Sequence, residues 1–598
     1  MKERDDTPGP SRLRNAVGLA ILAAAFLWAA VHVTYQAFWT AGDVTVTGDR
    51  RIIRFAHWQL EGGIVPALHE ACRLYESVRP DVDVQQIEVP ERAYRQWVRT
   101  QLVGRTAPDL IEVWGPGNPA WDNLIVRYFV PVTERIDEPN PYNAADMDRR
   151  LAELVGQDPH RLDDIGGLQG VPWRDTYIDN MEGGWYDRLQ DYYGMPMSVF
   201  TMRVFANLDI LEKAAGDLLP RDPDSGALQG PPDLGTFFEV CRRITEYGKT
   251  QPEPILPIAG SDYVANIFRD RYSQMGTWKL LEPQDLDEGG SASMGERFLA
   301  FATGQIDLET DPCIADTHKL LYEISRHFNP GFMNAKREDS VFMFAQGRAA
   351  MMATGSWEAG TLHKQVEGMF GILIFDFPTP APGQRYSNII EHRISEAGIR
   401  AGFPLALTKF TKHPDLAVDF LHFLTSRRIN EWLNQQFRWF PAVRGARMDP
   451  LLQAFEPKVE GVYKVFEPHL GGDSNLTYQQ LYQGFIGRSP APGLPFRDWL
   501  DDHYRQFIQT YAREFDKTFI ADFERSWQRA YAAIVQSEAQ LAAARARALR
   551  FGLTPSVQRN YAALVYGQTK RIGERTTDAL YLQDGRAAYE QRKRGGAS

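Results

Sequence analysis

From residue 51 onward, short strand-type runs alternate with stretches of helical spacing. RIIRFAHW (51–58) and PDLIEVW (108–114) are apolar runs typical of buried strands, and 81–89 alternates with period two, while apolar residues recur at helical intervals through 62–78 and 91–107. Strands that alternate with helices in this way form a mostly parallel sheet covered by helices. The sequence therefore predicts an α/β lobe in this region.

The α/β pattern recurs after an irregular stretch. Between about Asp137 and Asp191 the sequence is rich in Pro, Gly, Asp and aromatic residues, which indicates an inserted, loop-rich region. Strand and helix signals return at 194–211 and 339–357, and 414–436 predicts a pair of amphipathic helices. A second α/β lobe is expected there.

Residues 446–598 lack strand signals and are predicted to form a helical C-terminal extension. Within it, aromatic side chains recur every four residues and lie on one face of a helix. We expect this aromatic stripe to be buried against the body of the protein; a docking face for a partner protein is the alternative. Its members are Phe515, Phe519, Phe523, Trp527 and Tyr531.

The amino terminus predicts export and membrane attachment. Residues 15–42 contain no Asp, Glu, Lys or Arg, and about 20 apolar residues are enough for a helix to cross a bilayer. Arg12 and Arg14 precede this segment, so the positive-inside bias places 1–14 in the cytoplasm and the body of the chain outside it. We expect 15–39 to remain as a transmembrane helix, and a cleaved signal sequence is the alternative.

Charge and motif content argue against several classes of function. The net charge of -11 disfavours nucleic acid as a partner, because proteins bind its phosphates with clustered Lys and Arg. Cys72, Cys241 and Cys313 are isolated, so we expect small buried side chains and no metal site. The sequence has no zinc, phosphate-loop or serine-nucleophile motif, and neither cofactor nor catalysis is expected. A glycoside hydrolase, with two carboxylates across a cleft, is the enzymatic alternative.

One segment carries a family resemblance. VFMFAQGRAAMMATGSWEA (341–359) resembles a stretch of the family 1 extracellular solute-binding proteins, the group that contains maltose-binding protein. Residues 108–114, 194–211 and 403–426 are similar to other segments of that family and occur in the expected order. The long insertion and the C-terminal extension depart from the typical member.

This resemblance implies a two-lobed α/β fold of the periplasmic-binding-protein type (type II), which binds its ligand in the cleft between the lobes and closes by a hinge motion. On this basis we expect 50–195 and 354–400 to form lobe 1, and 196–353 and 401–445 to form lobe 2. The expected crossings between the lobes are Met195–Phe200, Ala353–Ser356 and Arg400–Phe403.

Candidate ligand contacts follow from the predicted strands, because open α/β sheets bind ligands at the carboxyl ends of their strands. Trp58 and Gln59 follow the first strand, and Glu112 and Trp114 end the third. A sugar has apolar C–H faces edged by hydroxyls, so its site requires aromatic surfaces and a few fixed polar groups. Trp357 lies where the resembling family commonly places a ligand-contacting aromatic residue. Further aromatic candidates, with core packing as the competing interpretation, are Trp173, Trp185, Tyr263 and Trp439.

The resemblance implies a binding protein rather than an enzyme: the substrate-binding component of an ABC importer. Such a protein captures a carbohydrate-like solute at the periplasmic side of the bacterial inner membrane. It delivers the solute to permease subunits that are driven by a cytoplasmic ATPase. A membrane-tethered ligand sensor or scaffold is the alternative, because the anchor and the helical extension also suit that role.

Overall fold

The computed structural model describes residues 50–60, 63–114, 119–133, 135–161, 167–186, 191–288, 292–396, 400–458, 460–462, 469–551 and 555–595. The predicted cytoplasmic segment and transmembrane helix, 1–39, lie outside these residues. Among the residues described, no helix has the length and apolar character needed to cross a membrane.

Strands and helices alternate through most of the described chain, and helices dominate its last part. The strands are β1 (Arg51–His57), β2 (Val82–Glu88), β3 (Leu110–Glu112), β4 (Trp185–Tyr186), β5 (Asp191–Tyr192), β6 (Gly194–Met195), β7 (Ser198–Phe200), β8 (Met202–Asn207), β9 (Leu256–Ile258), β10 (Ala349–Gly355), β11 (Ile372–Phe375), β12 (Arg400–Gly402), β13 (Leu405–Leu407) and β14 (Phe440–Pro441). The α-helices are α1 (Ile64–Val78), α2 (Glu91–Gly104), α3 (Pro119–Tyr128), α4 (Ala145–Leu154), α5 (Leu208–Ala215), α6 (Leu234–Lys249), α7 (Asp262–Thr277), α8 (Met294–Thr303), α9 (Pro312–Ser325), α10 (Arg337–Ala345), α11 (Ala359–Val366), α12 (Pro414–Leu424), α13 (Arg427–Phe437), α14 (Gly472–Gly487), α15 (Phe496–Phe551) and α16 (Pro555–Gly595).

Lobe 1 is built on a five-stranded sheet with the strand order β2-β1-β3-β13-β6. β1 pairs in parallel with β2 and β3, whereas β13 runs antiparallel to β3 and β6. Helices α1, α12 and α13 bury one face of this sheet, and α2 and α3 bury the other. The sheet is covered by helices as the sequence predicts, but it is mixed rather than mostly parallel, because two of its four strand pairings are antiparallel.

The irregular region between Asp137 and Asp191 packs on lobe 1. Its Trp173 is fully buried in the core that α12 and α13 share with the sheet. Asp148 of α4 forms ion pairs with Arg427 (2.8 Å) and Arg428 (2.9 Å) of α13. The insertion is therefore an integral part of the lobe 1 core.

Lobe 2 contains a four-stranded sheet with the order β11-β8-β10-β9. β8 runs antiparallel to β10 and β11, and β9 pairs in parallel with β10. Its hydrophobic core continues without interruption into the C-terminal extension. As expected, Cys72 of lobe 1 and Cys241 and Cys313 of lobe 2 are free and buried.

Two of the expected lobe assignments are wrong. Within the expected range 354–400, residues 354–396 belong to lobe 2, because the chain turns after β10 into α11 and β11, and β11 pairs with β8. The expected crossing at Ala353–Ser356 therefore does not occur. Residues 401–445 belong mainly to lobe 1, where β13, α12 and α13 pack.

A three-stranded sheet joins the lobes. Its central strand β7 pairs antiparallel with β12 and with β14, so the crossings predicted at Met195–Phe200 and Arg400–Phe403 are present and β14 forms a third. After β14 the chain reaches lobe 2, where buried Arg203 holds it by donating hydrogen bonds to the carbonyl oxygens of Ala454 and Glu456, both at 2.9 Å. This sheet is the hinge.

The C-terminal extension consists of α14, α15 and α16, which pack on lobe 2. The first three members of the aromatic stripe on α15 are buried, and Phe298 of α8 packs against Phe523 with 5.5 Å between ring centroids. The last two members, Trp527 and Tyr531, are 46% and 61% exposed. Burial against the body is therefore the outcome for only part of the stripe.

Candidate functional site

The strand ends of both sheets that could hold a ligand lie beside the hinge. In lobe 1, Glu112 at the end of β3 pairs with Leu405 of β13, and β13 directly follows the hinge strand β12. In lobe 2, Gly355 at the end of β10 pairs with Met202 of β8, and β8 directly follows the hinge strand β7. The edges at which open α/β sheets bind ligands therefore meet at the hinge.

Trp58 and Trp114 form a stacked pair at the lobe 1 edge. Their ring centroids are 4.8 Å apart, with 10° between the planes. Tyr94 of α2 contacts Trp58 edge-on at 4.8 Å, and the guanidinium of Arg95 lies 4.9 Å from the ring of Trp114. Both indoles are half-buried, so the pair forms a rigid aromatic surface. The structure thus brings together two side chains that the sequence predicted as ligand contacts.

Glu112 holds the backbone beneath this pair. Its buried carboxylate accepts hydrogen bonds from the backbone N–H of Trp58, at 3.0 Å, and from the side-chain amide of Gln59. Gln59 is also buried. Both predicted polar residues lie at the expected edge, and their contacts with each other position Trp58.

His57 ends β1 and is fully buried. Its Nδ1 accepts a hydrogen bond from the backbone N–H of Gln59 at 3.2 Å, and Nε2 lies 2.7 Å from the side-chain amide of Gln86. Burial lowers the pKa of His57 to about 4, against a smaller opposing effect of the hydrogen bond with Gln59. The imidazole is therefore neutral near pH 7 and fixes the turn that carries Trp58.

Trp357 bridges the two lobes. Its side chain packs against the cores of both, and its ring centroid lies 5.0 Å from that of Phe200 in the hinge strand β7. The indole lies against the backbone of Gly355, where an added Cβ would approach the ring to 2.1 Å. Only glycine at this position leaves room for the ring.

Two buried polar atoms beside this ring have no hydrogen-bond partner within the described residues. They are the indole N–H of Trp357 and the hydroxyl of Ser356. A buried polar atom left unpaired costs about 1–3 kcal/mol. Both atoms are able to form a hydrogen bond with water or with a ligand.

Tyr263 lies at the same edge of lobe 2. It is half-buried near the start of α7, and its hydroxyl is 3.4 Å from that of Thr354 in β10. The preceding residue, Asp262, forms an ion pair with Lys336 at 2.8 Å. Tyr263 thus lies against β10, the strand that leads to Trp357.

Three other predicted aromatic residues do not join this group. Trp173 is fully buried, and its indole N–H donates to the hydroxyl of Thr425 at 2.9 Å. Trp439 is 1% exposed and packs edge-on against the hinge residue Phe200 at 5.0 Å. Both indoles therefore pack within the core of lobe 1. Trp185 is half-buried in the β4-β5 hairpin of lobe 1.

Sequence reasoning missed Phe200 and Ser356. Phe200 contacts both Trp357 and Trp439, and Gly402 makes room for it, because a Cβ there would come within 2.7 Å of its ring. The available signal was the placement of glycines: Gly402 lies in a predicted crossing, and Gly355 and Ser356 precede Trp357. Small residues next to aromatic ones indicate close packing at a joint.

An acidic group lies outside the cleft, at α8. The carboxylates of Asp285, Asp287 and Glu296 approach within 4.8 Å of one another. Buried Glu296 accepts hydrogen bonds from the backbone N–H groups of Leu286, Asp287 and Ser293, at 2.6–3.1 Å. These bonds cap the helix and account for the buried carboxylate.

Similar solved structures cover most of the chain at low identity. A chitin oligosaccharide binding protein is 14% identical, covers 79% of this chain and 100% of its own, and has a TM-score of 0.49. RafE from Streptococcus pneumoniae is 15% identical, with coverages of 78% and 98% and a TM-score of 0.48. The GacH receptor of Streptomyces glaucescens is 13% identical, with coverages of 78% and 98% and a TM-score of 0.48. No curated protein sequence matches the chain.

A family model described as bacterial extracellular solute-binding protein matches residues 75–454. The match spans more than half of the chain and includes the hinge and parts of both lobes. Members of this family are binding proteins that act outside the cytoplasm, not enzymes. The chain belongs to the bacterial extracellular solute-binding proteins.

Proposed function

We propose that this protein captures a carbohydrate-like solute between its lobes and delivers it to the permease of an ABC importer. The observation that carries the proposal is the combination of half-buried indoles and unpaired polar atoms at the strand ends beside the hinge, namely Trp58, Trp114, Ser356 and Trp357. A sugar offers C–H faces to the indoles and hydroxyl groups to the unpaired polar atoms. Neither a purely apolar ligand nor a polyanion would interact with both the indoles and the unpaired polar atoms.

The hinge supplies a mechanism for capture. Strands β7, β12 and β14 join the lobes, and Trp357 packs against both cores. The contacts that a ligand makes with Trp357 therefore depend on the angle between the lobes. Such a ligand shifts the open–closed equilibrium by its differential affinity for the closed form, and the closed form is the one delivered to the permease.

The proposal places the protein at the periplasmic side of the inner membrane, held by residues 15–39. A tether keeps the binding body close to its permease and raises its effective concentration there. No cofactor takes part, because capture and release need only hydrogen bonds and aromatic contacts.

One observation favours a second candidate function, that of a ligand sensor or scaffold. The C-terminal extension packs on lobe 2, which moves on closure, and exposes Trp527 and Tyr531 to a partner. Deletion of the gene distinguishes the two functions. Loss of solute uptake supports the importer, whereas unchanged uptake with altered gene expression supports the sensor.

The direct test is a thermal-shift series on the intact protein with sugars, polyols, amino acids and peptides. A ligand at 100 times its Kd raises the free energy of unfolding by about 2.7 kcal/mol. We expect a shift with one carbohydrate class that is reduced by about half to two thirds in Trp357→Ala and unchanged in Trp278→Ala. Trp278 is the matched control because it is a half-buried lobe 2 indole that packs on His392. A shift only with amino acids or peptides would refute the carbohydrate class, and chemical turnover of the ligand would refute a binding protein.

A further inference from the structure

The outer face of α15 carries a row of apolar side chains that stays exposed. Ile520, Trp527, Tyr531 and Val535 are 41%, 46%, 61% and 48% exposed. At 100° per residue they fall within about 80° of the helix circumference, and the rings of Trp527 and Tyr531 stack at 6.2 Å. We call these four residues the outer row. Trp527, Tyr531 and Val535 adjoin one another at four-residue intervals, and exposed Glu524 lies on the same face between them and Ile520. Adjoining exposed apolar side chains mark an interaction site.

The opposite side of α15 is packed against the rest of the protein. Phe519 contacts Tyr589 of α16 with 4.6 Å between ring centroids. Asp522 accepts hydrogen bonds from the backbone N–H groups of Asp473 and Ser474 at the start of α14, both at 2.8 Å. The outer row is the apolar part of the exposed side of α15, which also carries Arg525 and Arg529. Trp and Tyr are the residues that most often anchor such contacts.

Charges at the two ends of the outer row favour one occupant, a second copy of the same helix. Lys517 and Glu538 are exposed on the same face. In an antiparallel pair of α15 helices with a two-fold axis between residues 527 and 528, Lys517 of one copy lies opposite Glu538 of the other, and Ile520 lies opposite Val535. The two-fold symmetry makes each contact twice, whereas a parallel in-register pair would place like charges together.

We propose that the protein forms an antiparallel dimer through the outer row of α15. In the single chain, Lys517 pairs with Glu514 of its own helix at 2.8 Å, and such an exposed pair contributes little. Exchanging it for a pair with Glu538 therefore costs little, while burial of the two indoles and phenol rings of the outer row supplies the driving force. The interface is isologous, so assembly stops at two copies.

Zero-length carbodiimide cross-linking of the full chain tests the register. Lys517 and Glu538 lie roughly 32 Å apart along one helix, so they cross-link only between copies. We expect a Lys517–Glu538 peptide that joins ¹⁴N- and ¹⁵N-labelled halves when the two labelled preparations are mixed. Absence of this peptide, with the protein remaining monomeric in sedimentation velocity, would overturn the proposal.

Charge reversal tests the partner independently. Lys517→Glu and Glu538→Lys should each weaken dimerisation about tenfold, and the double variant should restore it, because both opposed pairs re-form with reversed sign. Trp527→Glu should weaken it about tenfold or more, while Lys570→Glu, an exposed change on α16, is the matched control. All variants change exposed residues, so unaltered circular dichroism melts confirm folding. Self-association through this face would be contradicted if the single variants dimerised like the wild type. It would also be contradicted if the double variant did not regain the affinity of the wild-type dimer.

Discussion

The two lobes meet at the hinge with edges of opposite character. At the lobe 1 edge the polar groups bond to each other, since Glu112 accepts hydrogen bonds from Trp58 and Gln59. At the lobe 2 edge, the hydroxyl of Ser356 and the indole N–H of Trp357 lack partners within the described residues. The bonding groups of the lobe 1 edge are thus already paired, whereas the two lobe 2 atoms remain able to bond water or, as we propose, the ligand. Changes at the first edge should mainly cost stability, and changes at the second should mainly cost affinity.

The largest effect is expected from Glu112→Ala. This change removes the acceptor for two buried donors, and leaving them unpaired should lower the free energy of unfolding by about 3 kcal/mol in urea denaturation. The matched control is Glu88→Ala, an exposed carboxylate at the end of the neighbouring strand β2, which should change it by about 0.5 kcal/mol or less. Equal effects in the two variants would show that the lobe 1 edge is not held by Glu112.

The pH dependence of stability gives the next largest effect at the same edge. Because burial lowers the pKa of His57 from 6.5 to about 4, the unfolded chain takes up a proton that the folded state excludes between these values. The contribution of His57 to the free energy of unfolding is present in full above pH 6.5. It is lost as the pH falls toward 4, at about 1.4 kcal/mol per pH unit. Buried His318 of α9 adds a loss in the same direction, since burial also lowers its pKa to about 4.

His57→Gln separates this contribution from that of the other histidines. As the pH falls from 6.5 to 5, the free energy of unfolding of the wild type should decrease by about 2 kcal/mol relative to that of the variant. Exposed His160→Gln is the control and should follow the wild-type profile. A constant difference between wild type and His57→Gln across this range would show that His57 does not titrate in the unfolded chain alone.

Local sequence patterns predict the lobe 1 edge better than the lobe 2 edge, and the reason is physical. Trp58, Gln59 and Trp114 follow strands, and parallel pairing brings such strand ends together, so local patterns were sufficient for lobe 1. On lobe 2, the position of Trp357 came from a family resemblance, and the unpaired state of Ser356 depends on burial by residues distant in sequence. Side-chain burial of this kind is a tertiary property that no local pattern contains.

The same limit explains the errors in the fold. Two α/β lobes follow from alternating strand and helix signals, but an apolar run has the same pattern in either sheet. The ranges that the family resemblance implies place β11 and β13 in the wrong lobes, and only their pairing with β8 and with β3 assigns them correctly. The burial of Trp173 and Trp439 is likewise hidden from local patterns, because an indole in a loop-rich segment does not reveal whether that segment folds into the core.

At the lobe 2 edge, the substitution Trp357→Ala should weaken solute binding about tenfold to thirtyfold, which corresponds to about 1.4–2 kcal/mol. Titration calorimetry with the solute found by thermal shift measures this. Trp357→Phe keeps an aromatic face but removes the N–H, so an intermediate affinity is expected. Gly355→Ala should resemble Trp357→Ala, because its Cβ displaces the ring. Wild-type affinity in Trp357→Ala would remove this residue from the site.

The smallest and most discriminating effect is that of Ser356→Ala. Its hydroxyl is buried without a partner in the described part of the chain, so removing it should leave the free energy of unfolding unchanged or raise it by up to about 1 kcal/mol, in contrast to Glu112→Ala. If the ligand completes this bond, affinity should fall about fivefold, the usual net value of one hydrogen bond. Unfolding and calorimetry on the same preparation give both values. A loss of stability in the ligand-free protein would mean that Ser356 is already paired before the ligand arrives, and the contrast between the two edges would disappear.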